Sequence, residues 1–218
     1  MTTITQPLSL FDVAPVVPVV VLNDIQTAVL LARALVTGGL PIIEVTLRTE
    51  TALQSIKKIA AEVPEALVGA GTVITVDQVK QAVDAGARFL VSPGCTARLL
   101  DTMDASGLPY LPGVATASEM LGVLDRGRTE MKFFPAEAAG GVAYLKAVAG
   151  PLPQIRFCPT GGITIATAQD YLALPNVGCV GGSWLTPPDA VAAGDWTRIS
   201  NLARAAASLS TPDVTVHL

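Results

Sequence analysis

Short apolar runs recur along the chain at intervals of about 20–26 residues. They begin at Val16 (VVPVVVL), Ile42 (IIEV), Leu67 (LVGA), Phe89 (FLVS), Tyr110 (YLPG), Glu130 (EMKFF), Arg156 (RFCPT) and Val177 (VGCVGG). Within a run the apolar residues are nearly continuous rather than alternating, as in a parallel strand covered on both faces. A strand of about five residues, a helix of about ten and two short loops fill the interval.

The segments between the runs carry helix-start signals. Asp24 precedes IQTAVLLARALVTGG, which ends in Gly38-Gly39, Thr49 precedes ETALQSIKKIAAEV, Thr75 precedes VDQVKQAVDAG with a stop at Gly86, and Thr96 precedes ARLLDTMDASG. Thr116 with Glu119 forms a T-x-x-E capping box before MLGVLDRG, Gly141 opens VAYLKAVAG, and Thr164 precedes IATAQDYLAL. Side-chain oxygens at such positions accept from backbone N–H groups that the first helical turn leaves unpaired. A last helix is predicted over Asp195–Ser208. Eight strand-plus-helix units with no linker-like break predict an α/β fold: one (β/α)8 TIM-barrel domain over 1–218. Its core spans 15–207, a short helix near Pro7–Val13 closes the bottom, and 208–218 form a loose tail. An open doubly wound sheet is the alternative. It would usually place a Gly-rich turn after the first strand, where this chain has Leu22-Asn23-Asp24.

Composition narrows the chemistry. The 218 residues are 50% hydrophobic and 15% charged, with a net charge of −4. That acidity argues against a nucleic-acid partner, which needs a basic face. The one histidine, His217, leaves no basis for a His-ligated zinc site or a Ser-His-Asp triad. Cys95, Cys158 and Cys179 form no CxxC and no even framework, and read as buried thiols of a reducing, cytoplasmic compartment. The apolar run Val13–Leu22 is short and contains Pro15 and Pro18, so neither a signal peptide nor a membrane span is expected.

In a barrel, chemistry sits at the carboxyl ends of the strands. The polar residues there are Glu44, Thr46 and Arg48 after strand two, Thr72 after strand three, and Ser92-Pro93-Gly94 after strand four. Lys132 lies on strand six, Thr160-Gly161-Gly162 follow strand seven, and Gly181-Gly182-Ser183 follow strand eight. Lys132 lies between Met131 and two phenylalanines, whereas Lys57, Lys58, Lys80 and Lys146 fall in helical segments. It reads either as a lysine snorkelling to water or as a desolvated amine. A free lysine is almost wholly protonated at neutral pH, and burial favours the neutral, nucleophilic form that attacks a ketone. Alternation puts Glu44 on the face opposite Ile43 and Val45. A buried carboxylate there is either one half of an ion pair, with Arg48 or Lys132, or a general acid/base. Arg48 could clamp a carboxylate bidentately, with Thr72 donating to the same anion, or each could be an ordinary loop residue. The two glycine pairs mark loops where barrels commonly bind phosphate through bare N–H groups.

EVTLRT, GAGTV, SPG, KFFPAE, CPTGGI and GGSWL, in this order, resemble the 2-keto-3-deoxy-6-phosphogluconate (KDPG) aldolase family, whose members also act on 4-hydroxy-2-oxoglutarate (KHG). The resemblance spans about residues 15–207. It implies a class I, metal-free and cofactor-free aldolase on a (β/α)8 barrel, usually a homotrimer. Its substrate would be a phosphorylated keto acid, and its products pyruvate and glyceraldehyde 3-phosphate. It also implies that Lys132 forms the Schiff base and Glu44 shuttles protons. Arg48 and Thr72 would bind the pyruvate carboxylate. Pro93, Phe134 and Thr160 would line the pocket, and Gly161, Gly162, Gly182 and Ser183 would take the phosphate. Thr160 fits the gluconate branch, since related galactonate aldolases tend to carry an aliphatic residue there. The rival classes are a phosphate-binding barrel isomerase or epimerase with Glu44 as base, and a non-catalytic binding barrel.

Overall fold

A computed structural model describes residues 9–209. The predicted tail from 210 onward, His217 and the first part of the predicted N-terminal helix lie outside them. The order is β1 (Val16–Val20), α1 (Ile25–Thr37), β2 (Ile42–Thr46), α2 (Ala52–Glu62), β3 (Leu67–Gly71), α3 (Val76–Asp84), β4 (Leu90–Val91) and α4 (Ala97–Ala105). Then come β5 (Tyr110–Leu111), β6 (Gly113–Val114), α5 (Ala117–Leu124), β7 (Glu130–Phe133), α6 (Gly141–Ala149), β8 (Arg156–Pro159), α7 (Ile165–Leu172), β9 (Val180–Gly182), α8 (Pro188–Ala193) and α9 (Trp196–Ala207).

The result is an α/β fold around a curled parallel sheet. Six strands run in the order β5-β4-β3-β2-β1-β9, and three more in the order β6-β7-β8. Isolated parallel bridges pair Phe157 with Val177 and Thr160 with Gly181, tying β8 to the β9 segment. On the other side, β5 and β6 are one predicted strand divided at Pro112. Proline has no N–H to donate, so the ladder skips a rung there. The Pro112 carbonyl still accepts from Lys132 N–H, at 2.9 Å.

Every residue of β2 and β3 is buried, as expected where helices cover one face and a packed interior the other. Close packing demands glycine at particular points. A Cβ on Gly69 would overlap the Phe89 ring. Each fully buried Ile, Leu or Phe contributes about 1.5–3 kcal/mol relative to exposure.

Most predicted helix starts are present. Asp24 accepts from Gln26 N–H, Thr75 from Gln78 N–H, Thr96 from Leu99 N–H, and Thr116 forms its capping box with Glu119. The start at Thr49 is corrected. The helix begins at Ala52, and Thr49 and Thr51 both donate their hydroxyls to the Leu22 carbonyl at 2.5 and 2.6 Å. These threonines pin the loop after β2 to the loop after β1. α8 is a helix with no predicted counterpart.

The N-terminal element is a 3-10 turn over Leu10–Asp12, shorter than the predicted helix. Ser9 donates to Glu130 Oε1 at 2.6 Å, and the Arg156 guanidinium lies 5.1 Å from the Phe11 ring centroid. The turn therefore covers the amino ends of β7 and β8. Among the described residues no helix is long and apolar enough to cross a membrane.

Candidate active site

β2 and β7 belong to different sheets, yet each sends one ionisable side chain to a common point. Lys132 Nζ lies 3.4 Å from Glu44 Oε1, across 88 residues of sequence. Their side chains are only 5% and 4% exposed. Of the two partners open to Glu44, the structure selects Lys132. Arg48 is exposed in the loop after β2 and forms no ion pair among the described residues.

The separation is longer than the about 2.7–2.9 Å of a tight charge-assisted pair. The amine is therefore held near the acid without being locked to it. The Phe134 ring centroid lies 5.2 Å from Nζ, which places an aromatic face beside the cation. A peptide bond in the cis form joins Phe134 to Pro135.

Glycine makes room for the acid. A Cβ on Gly71, at the end of β3, would overlap the Glu44 carboxylate. The next residue, Thr72, has φ of +56°, the one described non-glycine residue with positive φ. A β-branched residue in the left-handed region is strained by about 1–2 kcal/mol. Such strain tends to persist where a side chain or backbone group must be aimed.

The remaining predicted residues gather at the same ends of the strands. Pro93 is half-buried, and its carbonyl presses on Gly113, where a Cβ would overlap it. Thr160 is 6% exposed and sits over Gly181, where a Cβ would overlap its side chain. Gly161 and Gly162 have φ of +104° and +83°, conformations that glycine adopts without strain. A Cβ on Gly182 would overlap the Trp184 ring. Ser183 is exposed and lines a cleft of about 560 Å³ with Asn23, Asp24 and Thr186. Thr46 instead serves the fold, donating to the Val20 carbonyl at 3.0 Å.

Ser92, read from sequence as a polar residue at this end, is fully buried, and its hydroxyl accepts from Gly113 N–H at 3.4 Å. One residue near this end was given no role from sequence. Glu137, in the KFFPAE segment, accepts from the Tyr171 hydroxyl. Among the cysteines, Cys158 and Cys179 are buried, whereas Cys95 is only half-buried. A hydrogen bond to Cys158 and burial push the Cys179 thiol well above its usual value, so it is no thiolate nucleophile.

The KDPG and KHG aldolase family model matches residues 9–202. The chain belongs to that family. Its relatives include 2-dehydro-3-deoxy-phosphogluconate aldolase of Pseudoalteromonas atlantica, 54% identical over 196 residues, covering 90% of this chain and 91% of the relative. The KHG/KDPG aldolase of Escherichia coli K12 is 54% identical over 198 residues, covering 91% of this chain and 93% of the relative. Among solved structures, KDPG aldolase from Legionella pneumophila superposes with a TM-score of 0.89 at 47% identity. It covers 91% of this chain and 96% of that one, and was captured with pyruvate as a covalent carbinolamine.

Proposed function

We propose that this chain is a class I aldolase. It cleaves 2-keto-3-deoxy-6-phosphogluconate reversibly to pyruvate and D-glyceraldehyde 3-phosphate, and 4-hydroxy-2-oxoglutarate to pyruvate and glyoxylate. The observation that carries this reading is the buried Lys132–Glu44 pair in a member of an aldolase family.

The chemistry follows from the residues. Lys132 Nζ attacks the C2 ketone and forms a carbinolamine. Loss of water gives an iminium, which draws the electron pair of the C3–C4 bond as that bond breaks. Glu44, directly or through a water, accepts the C4 hydroxyl proton, and the aldehyde leaves. The enamine then takes a proton at C3, and hydrolysis of the resulting iminium releases pyruvate and the free amine. Because the iminium supplies the electron sink, the reaction needs no metal ion and no cofactor.

Arg48 and Thr72 bind the substrate carboxylate, which brings the ketone to the amine in a near-attack geometry. Pro93, Phe134 and Thr160 line the pocket, and the Thr160 hydroxyl supports the gluconate over the galactonate substrate. Gly161, Gly162, Gly182 and Ser183 hold the phosphate. Its binding energy orients a substrate whose reacting bond lies elsewhere. We further propose that residues 15–207 form the core of a single domain, closed as an eight-stranded barrel. The two bridges between β8 and the β9 segment, and the continuity of β5 with β6, support closure. A homotrimer would cover apolar side chains such as Ile74 and Leu121, which are 58% and 51% exposed. The free cysteines suit a reducing, cytoplasmic address.

Borohydride tests the core of the reading. Pyruvate plus borohydride is expected to leave a reduced pyruvyl group on Lys132, seen as a mass increase on its peptide. No adduct, with a folded protein, would remove the imine mechanism. An isomerase or epimerase using Glu44 alone would give none.

Thr72 yields a separate expectation. Thr72→Gly relieves the left-handed strain but adds unfolded-state entropy, so its stability should match the parent within about 1 kcal/mol in urea titration. Its KM for the keto acid should rise about tenfold, as for loss of one hydrogen bond to a charged group. A large loss of stability with unchanged KM would make Thr72 a structural residue instead.

A further inference from the structure

Behind the glycine pair of the β8–α7 loop, a buried phenol meets the carboxylate of an exposed glutamate. Tyr171, on α7, is 1% exposed, and its hydroxyl donates to Glu137 Oε1 at 2.5 Å. Glu137 follows β7, five residues beyond Lys132 in the chain. Its backbone N–H donates to the Gly161 carbonyl at 3.1 Å, and that of Ala136 to the Thr160 carbonyl at 2.8 Å. The Glu137 Cβ and Cγ cover Gly162 so closely that a Cβ there would overlap them. Gly141, at φ of +57°, leaves space for the Tyr171 hydroxyl, which a Cβ there would approach to 3.0 Å.

An acidic side chain is thus packed directly on the loop proposed to hold a phosphate dianion. A carboxylate beside a dianion is repulsive unless something directs it elsewhere. We propose that Tyr171 acts as a positioning residue for the phosphorylated end of the substrate by setting where the Glu137 carboxylate lies. The phenol draws the carboxylate off the Gly161–Gly162 loop toward α7, and the Glu137 backbone fixes that loop to the segment carrying Phe134. Burial, and next the hydrogen bond to Glu137, raise the Tyr171 hydroxyl well above its ordinary value, so it remains a donor at neutral pH. The inference rests on the aldolase reading and deepens it at the phosphate end.

The test compares the parent with Tyr171→Phe, Glu137→Gln, their double variant and Glu137→Asp. Two readouts are used: steady-state cleavage of the phosphorylated keto acid, and the rate of borohydride trapping with pyruvate, which carries no phosphate. In Tyr171→Phe the freed carboxylate should raise KM about tenfold at low salt, and less at high salt where charges are screened. Its kcat and pyruvate trapping should stay within about twofold. Glu137→Gln has no charge to misplace, so it and the double variant should keep a KM within about threefold of the parent. Glu137→Asp withdraws the carboxylate from the phenol without touching the core, and should raise KM as Tyr171→Phe does.

A double variant with KM still raised overturns the proposal. So does a Tyr171→Phe protein that loses pyruvate trapping as fully as it loses affinity, or an unchanged KM in Glu137→Asp. A parent protein that neither cleaves the keto acid nor traps pyruvate instead overturns the aldolase reading itself.

Discussion

Lys132→Met should lose cleavage of the keto acid by about four orders of magnitude or more in kcat, the scale expected when a covalent nucleophile is removed. Methionine ends one atom short of the amine and keeps an apolar chain beside Phe134. What it removes is the nitrogen, and with it the electron sink for the C3–C4 bond. Borohydride with pyruvate should then add no mass. The variant also leaves the Glu44 carboxylate, 4% exposed, without its cation. Breaking a buried pair from one side costs about 3–5 kcal/mol unless the remaining group takes up a proton. A fall in stability is therefore expected, and it must be kept apart from the chemistry. The double variant Lys132→Met/Glu44→Gln makes the separation, since it carries no orphaned charge. It should recover most of the stability and none of the activity. Measured turnover in Lys132→Met near that of the parent would end the imine mechanism.

Glu44→Gln should slow cleavage by about 10²–10⁴, the usual worth of one general acid/base. Glutamine is nearly isosteric, so it fits beside Gly71, and its amide oxygen can still accept from Lys132 Nζ. The lost function is proton transfer. Nucleophilic attack on pyruvate therefore survives, more slowly. The borohydride adduct on Lys132 should still accumulate in Glu44→Gln while it is absent in Lys132→Met. That contrast assigns the two roles independently. If Glu44→Gln cleaved the keto acid at the parent rate, the carboxylate would be only the counter-ion of Lys132.

Much of this arrangement is legible in short stretches of sequence. The apolar runs at Val16, Ile42, Leu67, Tyr110, Glu130 and Arg156 begin where strands begin. Asp24, Thr75, Thr96 and Thr116 cap the helices they precede. The reason is that capping acts over two to three residues and a buried strand advertises itself in its own composition. Thr49 shows where this fails. It has the residue type of a cap, but the nearby Leu22 carbonyl claims its hydroxyl, and that carbonyl belongs to another loop. The Glu137–Tyr171 bond is invisible for the same reason, its partners lying 34 residues apart on different elements.

The sequence by itself determined the succession of parallel strands and helices, the face on which Glu44 stands, and the isolation of Lys132 among apolar neighbours. Only the tertiary structure decided that Glu44 meets Lys132 rather than Arg48, four residues away in its own loop. Alternation fixes the direction of a side chain along one strand, but distances across the sheet depend on how all the strands curl together. That curvature is a collective result of packing helices against a twisted sheet, and no local pattern of residues encodes it.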